Sequence, residues 1–310
     1  MAPIKVGPGL LHLIDNNDKP MGKGMSNALR IAHGPFGRVA LLDMDAPLVR
    51  HAHPHCHVLI KAEGADTQFV VRGRTAPLTR DSAVLINAWE PHHYAHDASW
   101  QRTIILALYI EPLWLGRFRR NWTASGAPGF FEQACVVLPP RVRWLADEMA
   151  LAQGIAMATA QEALLSELMI AVIERFTPWQ EVGTSLRELA RSNGVDRRIR
   201  RALTAMQHDP SSVGDMATLA KQAGLSRAHF FRLFEQATQV PPRVFLNVLR
   251  LERAVAALVQ GDAPIGTISE QLGFSAAPHF TRFFRDHAGA SPSEFRAVAS
   301  AGPAQNETIG

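Results

Sequence analysis

The chain has 310 residues, of which 47% are hydrophobic and 19% charged, with a formal net charge of +4; that describes an ordinary globular protein with room for two domains, each with its own core. No charged opening followed by an apolar stretch is present, and no apolar run reaches the roughly 18 residues of a membrane span, so neither a signal peptide nor a spanning helix is expected. Cys56 and Cys135 are the only cysteines, which argues against a disulfide framework and fits a reducing cytoplasm.

From Phe36 to about Pro112 the pattern is that of short strands: Arg38 to Met44, Val58 to Ile60, Thr67 to Val71, Ala83 to Ile86 and Thr103 to Ile110. Gly and Pro punctuation separates them, at Gly34-Pro35, Gly64, Gly73, Pro77 and Pro91. Many short strands at this spacing predict an antiparallel barrel or sandwich. Inside the run lies His51-Ala52-His53-Pro54-His55-Cys56-His57, followed by Gly64, and then Glu90-Pro91-His92-His93-Tyr94. These stretches resemble the two cupin motifs, with His51, His53, Gly64 and His92 on the pattern and His57 where a Glu is usual. The resemblance implies a cupin-like barrel over residues 1–112. On a regular strand His51, His53 and His57 share one parity and face one way, toward His92, while His55 faces solvent. Such a set suits a divalent zinc, iron, nickel or copper ion, hydrogen bonding to a small effector, or a structural polar rim; the sequence leaves the three open.

Between Pro139 and Phe176 the period becomes helical. Arg141 to Ala158 reads as one helix and Glu162 to Phe176 as a second. Leu165, Leu168, Met169, Val172, Ile173 and Phe176 form a wide apolar stripe on the second. The stripe serves either core packing or a homodimer seam. Residues 113–193 are expected to form a helical segment that serves as linker and, on the second of those readings, for dimerisation, with a short helix at Leu186 to Arg191 inside the interdomain linker.

The last third carries one pattern twice, about fifty residues apart. The first copy runs from Met216 to Phe234 and the second from Ile265 to Phe284. In each, a short amphipathic helix ends at a Gly, an apolar residue follows, and a Ser opens the next helix: Gly224-Leu225-Ser226 and Gly273-Phe274-Ser275. This is helix-turn-helix grammar, with Gly supplying a left-handed turn and Ser a helix cap. Asp196 is placed to cap a preceding helix, Arg197 to Gln207, and Arg243 to Val259 joins the two motifs. Between Gly194 and Ser300 there are thirteen basic and nine acidic residues, so this span carries the whole basic excess, as a phosphate-binding surface requires.

The second copy, with His279-Phe280-Thr281-Arg282-Phe283-Phe284-Arg285 and Gly289-Ala290-Ser291-Pro292, resembles the double helix-turn-helix domain of the AraC/XylS family of bacterial transcription regulators. The resemblance implies a sequence-specific, double-stranded DNA-binding regulator over 194–300. Its tail, 301–310, is expected to be disordered. In many members a cupin is the sensor, often without its metal ligands. Base-reading positions of the first motif fall on Arg227, Ala228, Phe231 and Arg232, with Ser226, His229 and Arg243 nearby. Arg232 is the one suited to a bidentate guanine contact. In the second motif Ala277 and Pro278 replace polar readers, leaving Thr281, Arg282 and His279 for bases, with Ser275 and Arg285 on the backbone. The first motif is thus expected to supply most discrimination.

The expected architecture is multidomain α+β: an N-terminal antiparallel barrel, a helical linker and an all-α C-terminal double helix-turn-helix. The expected function is regulation in the cytoplasm, as a homodimer, by coupling a small effector or metal to DNA binding, with RNA polymerase as a further partner. A metal-dependent cupin enzyme with an appended helical domain is the alternative. No nucleophile or general-base constellation supports it.

Overall fold

Every residue of the strand Thr103–Ile110 is buried, because both faces of the sheet it joins are covered. The computed structural model describes residues 27–97, 101–152, 158–177, 195–238 and 240–300. In chain order the strands are β1 (Asn27–Gly34), β2 (Gly37–Met44), β3 (Cys56–Gly64), β4 (Thr67–Val71), β5 (Arg74–Leu78), β6 (Ser82–Ile86), β7 (His92–Tyr94), β8 (Thr103–Ile110) and β9 (Cys135–Val137). They form a six-stranded sheet, β1-β2-β8-β3-β6-β9, and a three-stranded sheet, β5-β4-β7.

The sheets are not hydrogen-bonded into the single closed barrel expected from the sequence. β1 and β9 each pair on one side only, leaving two layers across a shared core. β1, β5, β7 and β9 were not legible as strands; β5 contains Pro77, which an edge strand tolerates.

Strand alternation divides the large sheet cleanly. Its inner face presents Ala40, Leu42, Leu59, Val84, Ala107 and Tyr109 toward Phe69, Leu78 and Tyr94 of the small sheet. Its outer face presents Leu41, Val58, Ile60, Leu106 and Leu108 toward two helices, α2 (Pro140–Ala152) and α3 (Ala158–Phe176), which follow a short α1 (Pro112–Leu115). Leu165, Leu168, Met169, Val172 and Ile173 are all buried there. The stripe therefore packs the sensor core, and those side chains do not form an exposed seam. The helix expected over Arg141–Ala158 is described as far as Ala152, and residues 153–157 of that stretch lie outside the described set. The Leu186–Arg191 helix, all but the first residue of the 177–193 linker and the 301–310 tail also lie outside it.

The C-terminal half contains α4 (Arg197–His208), α5 (Met216–Gln222), α6 (Arg227–Thr238), α7 (Pro242–Gln260), α8 (Ile265–Gln271), α9 (Ala277–Ala288) and α10 (Pro292–Ser300). Asp196 caps α4 through the Arg198 N–H, and Asp215 caps α5 through Ala217 and Thr218, each satisfying backbone N–H groups that the first turn leaves unpaired. Gly224 and Gly273 take φ of 68° and 75° at the two turns. Phe230, Phe234 and Phe245 pack the first motif, and Phe280, Phe284 and Phe295 the second.

Candidate functional site

His51 bridges His92 across the two sheets' loops: the His51 N–H donates to the His92 carbonyl at 2.9 Å and the His92 N–H to the His51 carbonyl at 2.8 Å. The Trp89 N–H donates to the His53 carbonyl at 2.6 Å, closing the same seam. The turn before His92 is fixed by Glu90, whose carboxylate accepts from the Asn87 backbone and side chain at 2.9 and 3.1 Å and pairs with Arg72. Backbone pairing therefore holds these histidines in place.

They do not share one strand, as parity suggested. Only His57 lies in β3; the chain from 52 to 55 is irregular. The convergence is nonetheless real. His51 and His92 have ring centroids 4.5 Å apart, and His53 lies 4.9 and 5.3 Å from them. One ligand nitrogen from each of the three falls within 4.8 Å of the others. His57 is adjacent, 5.3 Å from His53 and 5.6 Å from His92, but its nitrogens are not in that group. His55 departs from expectation: it is buried, with Nε2 3.1 Å from Glu111 and Nδ1 3.9 Å from Glu252 of α7, because the C-terminal half docks over it.

Carbonyl oxygens only accept, so two tautomers are determined. His51 Nδ1 donates to Val49 at 2.7 Å and His92 Nδ1 to Glu90 at 2.8 Å, which leaves each Nε2 with a free lone pair. The Nε2 of His92 and both ring nitrogens of His53 and His57 are buried without partners. Burial, then repulsion from neighbouring cationic groups, drives His51, His53 and His57 well below the usual histidine range and His92 down to about 3. At neutral pH all four are uncharged.

The row continues across the sheet. Cross-strand pairing aligns His33, Arg38, Tyr109 and His57 on β1, β2, β8 and β3. His57 lies flat on Tyr109 at 4.0 Å, and the Arg38 guanidinium carbon is 3.7 Å from that ring centre. The C-terminal half lies against this row. Phe295 lies 6.2 Å from His33 and 5.7 Å from the Arg38 guanidinium, and His287 6.1 Å from His51. None of Arg38, Tyr109, Glu252 or His287 was marked by sequence, since no spacing rule links residues so far apart in the chain.

The opposite side of that half carries the other predicted residues. On α6, Arg227, Ala228 and Arg232 are exposed, and His229 and Phe231 half-buried. Ser226 caps the helix through the His229 N–H at 3.3 Å. Arg243 is exposed at the start of α7. On α9, His279, Arg282 and Arg285 are exposed and Thr281 half-buried. Ala277, Pro278, Thr281, Arg282, Arg285 and Asp286 share a shallow groove. Ser275 does not cap this helix: Ala276 stands at the cap and the Ser275 hydroxyl meets His279 Nδ1 at 3.0 Å. Pro278 fits the first turn, where its missing N–H is not needed.

Residues 45–223 match the AraC-like ligand binding domain and residues 219–297 match a helix-turn-helix domain. The chain belongs to the AraC family. The match to the arabinose operon regulatory protein of Escherichia coli is 33% identical over 104 residues, covering 33% of this chain and 36% of that protein. The match to the transcriptional activator RhaS of Escherichia fergusonii is 24% identical over 248 residues, covering 79% of this chain and 86% of that protein. An uncharacterized helix-turn-helix regulator of Haemophilus influenzae matches at 32% over 105 residues, 34% of this chain and 35% of its own length. The chain thus spans less than half the length of the Haemophilus and arabinose operon regulators. ToxT of Vibrio cholerae, with a TM-score of 0.51 at 12% identity over 90% of this chain and 98% of its own, shares the fold. These relatives are regulators of transcription, and no enzyme reading of the pocket is supported by them.

Proposed function

We propose that the chain regulates transcription by coupling occupancy of the histidine pocket to DNA binding through α6 and α9. The observation that carries this reading is the position of the histidines: they belong to the sensor, and His287 of α9 and Phe295 of α10 in the DNA-binding half stand beside them. Anything bound there touches both, so it shifts the population of domain arrangements competent for DNA.

The donor set fits a divalent transition-metal ion, as the cupin-like reading implies. Neutral buried imidazoles with orphaned nitrogens, two of them oriented by backbone carbonyls, are what such an ion needs. His51, His53 and His92 would hold it, with His57 alongside, and it would supply a fixed positive charge between the sensor and the C-terminal half. Arg38, buried and without a carboxylate partner among the described residues, adds a fixed positive charge that favours an anionic effector.

Arg227, Arg232 and Phe231 on α6 read bases in this account, with Arg282 and Thr281 on α9, while Arg243 and Arg285 meet phosphates. Assembly as a homodimer in the cytoplasm, with RNA polymerase as a partner, belongs to the same reading. With the α3 stripe buried, Trp144 and Leu151, exposed on one face of α2, are the surface offered for pairing.

Elemental analysis of purified protein beside a His51→Ala/His53→Ala variant tests the pocket. Anisotropy titrations with duplexes selected from a random pool, with and without zinc, test the coupling. Metal in neither protein would remove the ion from the account; zinc-indifferent DNA affinity in a metal-bound protein would remove the coupling.

A further inference from the structure

The three clustered histidines leave a bound ion one protein donor short of a closed tetrahedral site. Two imidazoles stand next to them. His57 is pressed flat on Tyr109 within the cross-strand row, at 4.0 Å and 21°. His287 comes from the other half of the molecule, on the last turn of α9, with its ring 6.1 Å from that of His51. We propose that His287 is the fourth donor to the metal ion held by His51, His53 and His92, so that the ion ties the second DNA-reading helix to the sensor. The inference rests on the metal reading above.

Three observations support His287. Its Nδ1 donates to the Phe283 carbonyl at 2.7 Å, so its free nitrogen is Nε2. His51 and His92 are arranged in the same way, each with Nδ1 bound to a carbonyl and Nε2 left over. This is the outer-shell arrangement that orients metal-binding imidazoles. Second, the ring is held against Phe283 at 4.3 Å, so its position follows the helix rather than a loose side chain. Third, the His287 ring faces His51 from a separate helix at 6.1 Å, whereas His57 is fixed in its row by strand pairing and stacked on Tyr109.

The consequence is mechanical. The amino-terminal half of α9 carries exposed His279 and Arg282, and its last turn carries His287. An ion bound at that end sets the angle of the helix relative to the sensor. Metal occupancy then selects one placement of the second motif against the first.

Cobalt(II) titration of the full, metal-stripped chain tests this, read by visible and near-ultraviolet absorption. The wild type is expected to bind cobalt, and His287→Ala to bind it about tenfold or more weakly. His287→Cys is expected to gain a thiolate-to-cobalt charge-transfer band that the wild type lacks, a signature no packing role produces. Absence of that band, with His287→Ala binding as wild type and His57→Ala impaired, would assign the fourth position to His57 and overturn the proposal. No cobalt uptake by the wild type would sink the metal reading itself, and His287 with it.

Discussion

The indole of Trp89 lies on the ring of Phe245, centroids 4.5 Å apart and planes 13° from parallel, joining the sensor's His92 turn to the connecting helix α7. Trp89 holds φ at 65°, costly for a bulky residue, and its N–H is tied to His53. The stack is thus a direct link between the histidine-bearing loop and the helix that spaces the two motifs. A double-mutant cycle of Trp89→Gly and Phe245→Ala, by urea unfolding, should show a coupling of about 0.5–1.5 kcal/mol. Trp89→Gly should still bind cobalt but show a weaker effect of metal on DNA affinity. An unchanged effect would mean the signal crosses elsewhere.

Gly224 and Gly273 occupy equivalent turns but not equivalent surroundings. A Cβ on Gly224 would meet nothing within 4 Å, whereas one on Gly273 would lie 2.7 Å from the Ser211 carbonyl oxygen. Gly224→Ala should therefore cost about 1–2 kcal/mol for its left-handed backbone alone. Gly273→Ala should cost about 1–3 kcal/mol beyond that, because backbone must move. Equal denaturation midpoints for the two variants would show that the Ser211 loop yields freely.

These contrasts mark what the sequence could convey. The two turns, the Asp196 cap and the α7 connector were readable because each depends on residues within one helix length. The pocket was half readable: His51, His53 and His92 stood out by type, yet the parity argument assumed a strand that the Pro54 region interrupts. His55 was misplaced outward because its burial comes from Glu111 and Glu252, which approach from elsewhere in the chain. The α3 stripe was correctly seen as apolar, but only the packed sheet decides what covers it. His287 carried no signal at all.

The two helices proposed to read DNA differ in what they offer. Arg232 stands exposed on α6 with no ion pair among the described residues, while Arg282 lies 3.8 Å from Asp286 on α9. Arg232→Ala should cost about 1–3 kcal/mol on the selected duplex and relax discrimination at one guanine. Arg285→Ala should weaken all duplexes alike and reduce the salt slope by about 0.9. Comparable loss of discrimination from both variants would erase the division of labour between the motifs.

His33 gives the domain contact a pH dependence. Burial, with Arg38 and His55 adding to it, lowers its pKa from 6.5 to about 3, and its Nε2 is buried without a partner beside Phe295. The unfolded chain therefore takes a proton near pH 6.5 that the folded chain refuses until about pH 3. The stability tied to neutral His33 is complete above the upper value and declines as pH falls through this window, by at most about 1.4 kcal/mol per pH unit. The pocket histidines shift in the same direction, so the comparison must be with a variant. His33→Phe keeps a ring against Phe295 and removes the titrating group, so its urea midpoint should fall less than that of the wild type between about pH 7 and pH 5. Parallel loss in the two proteins would mean that His33 is protonated in place, with the contact to α10 opening to admit water.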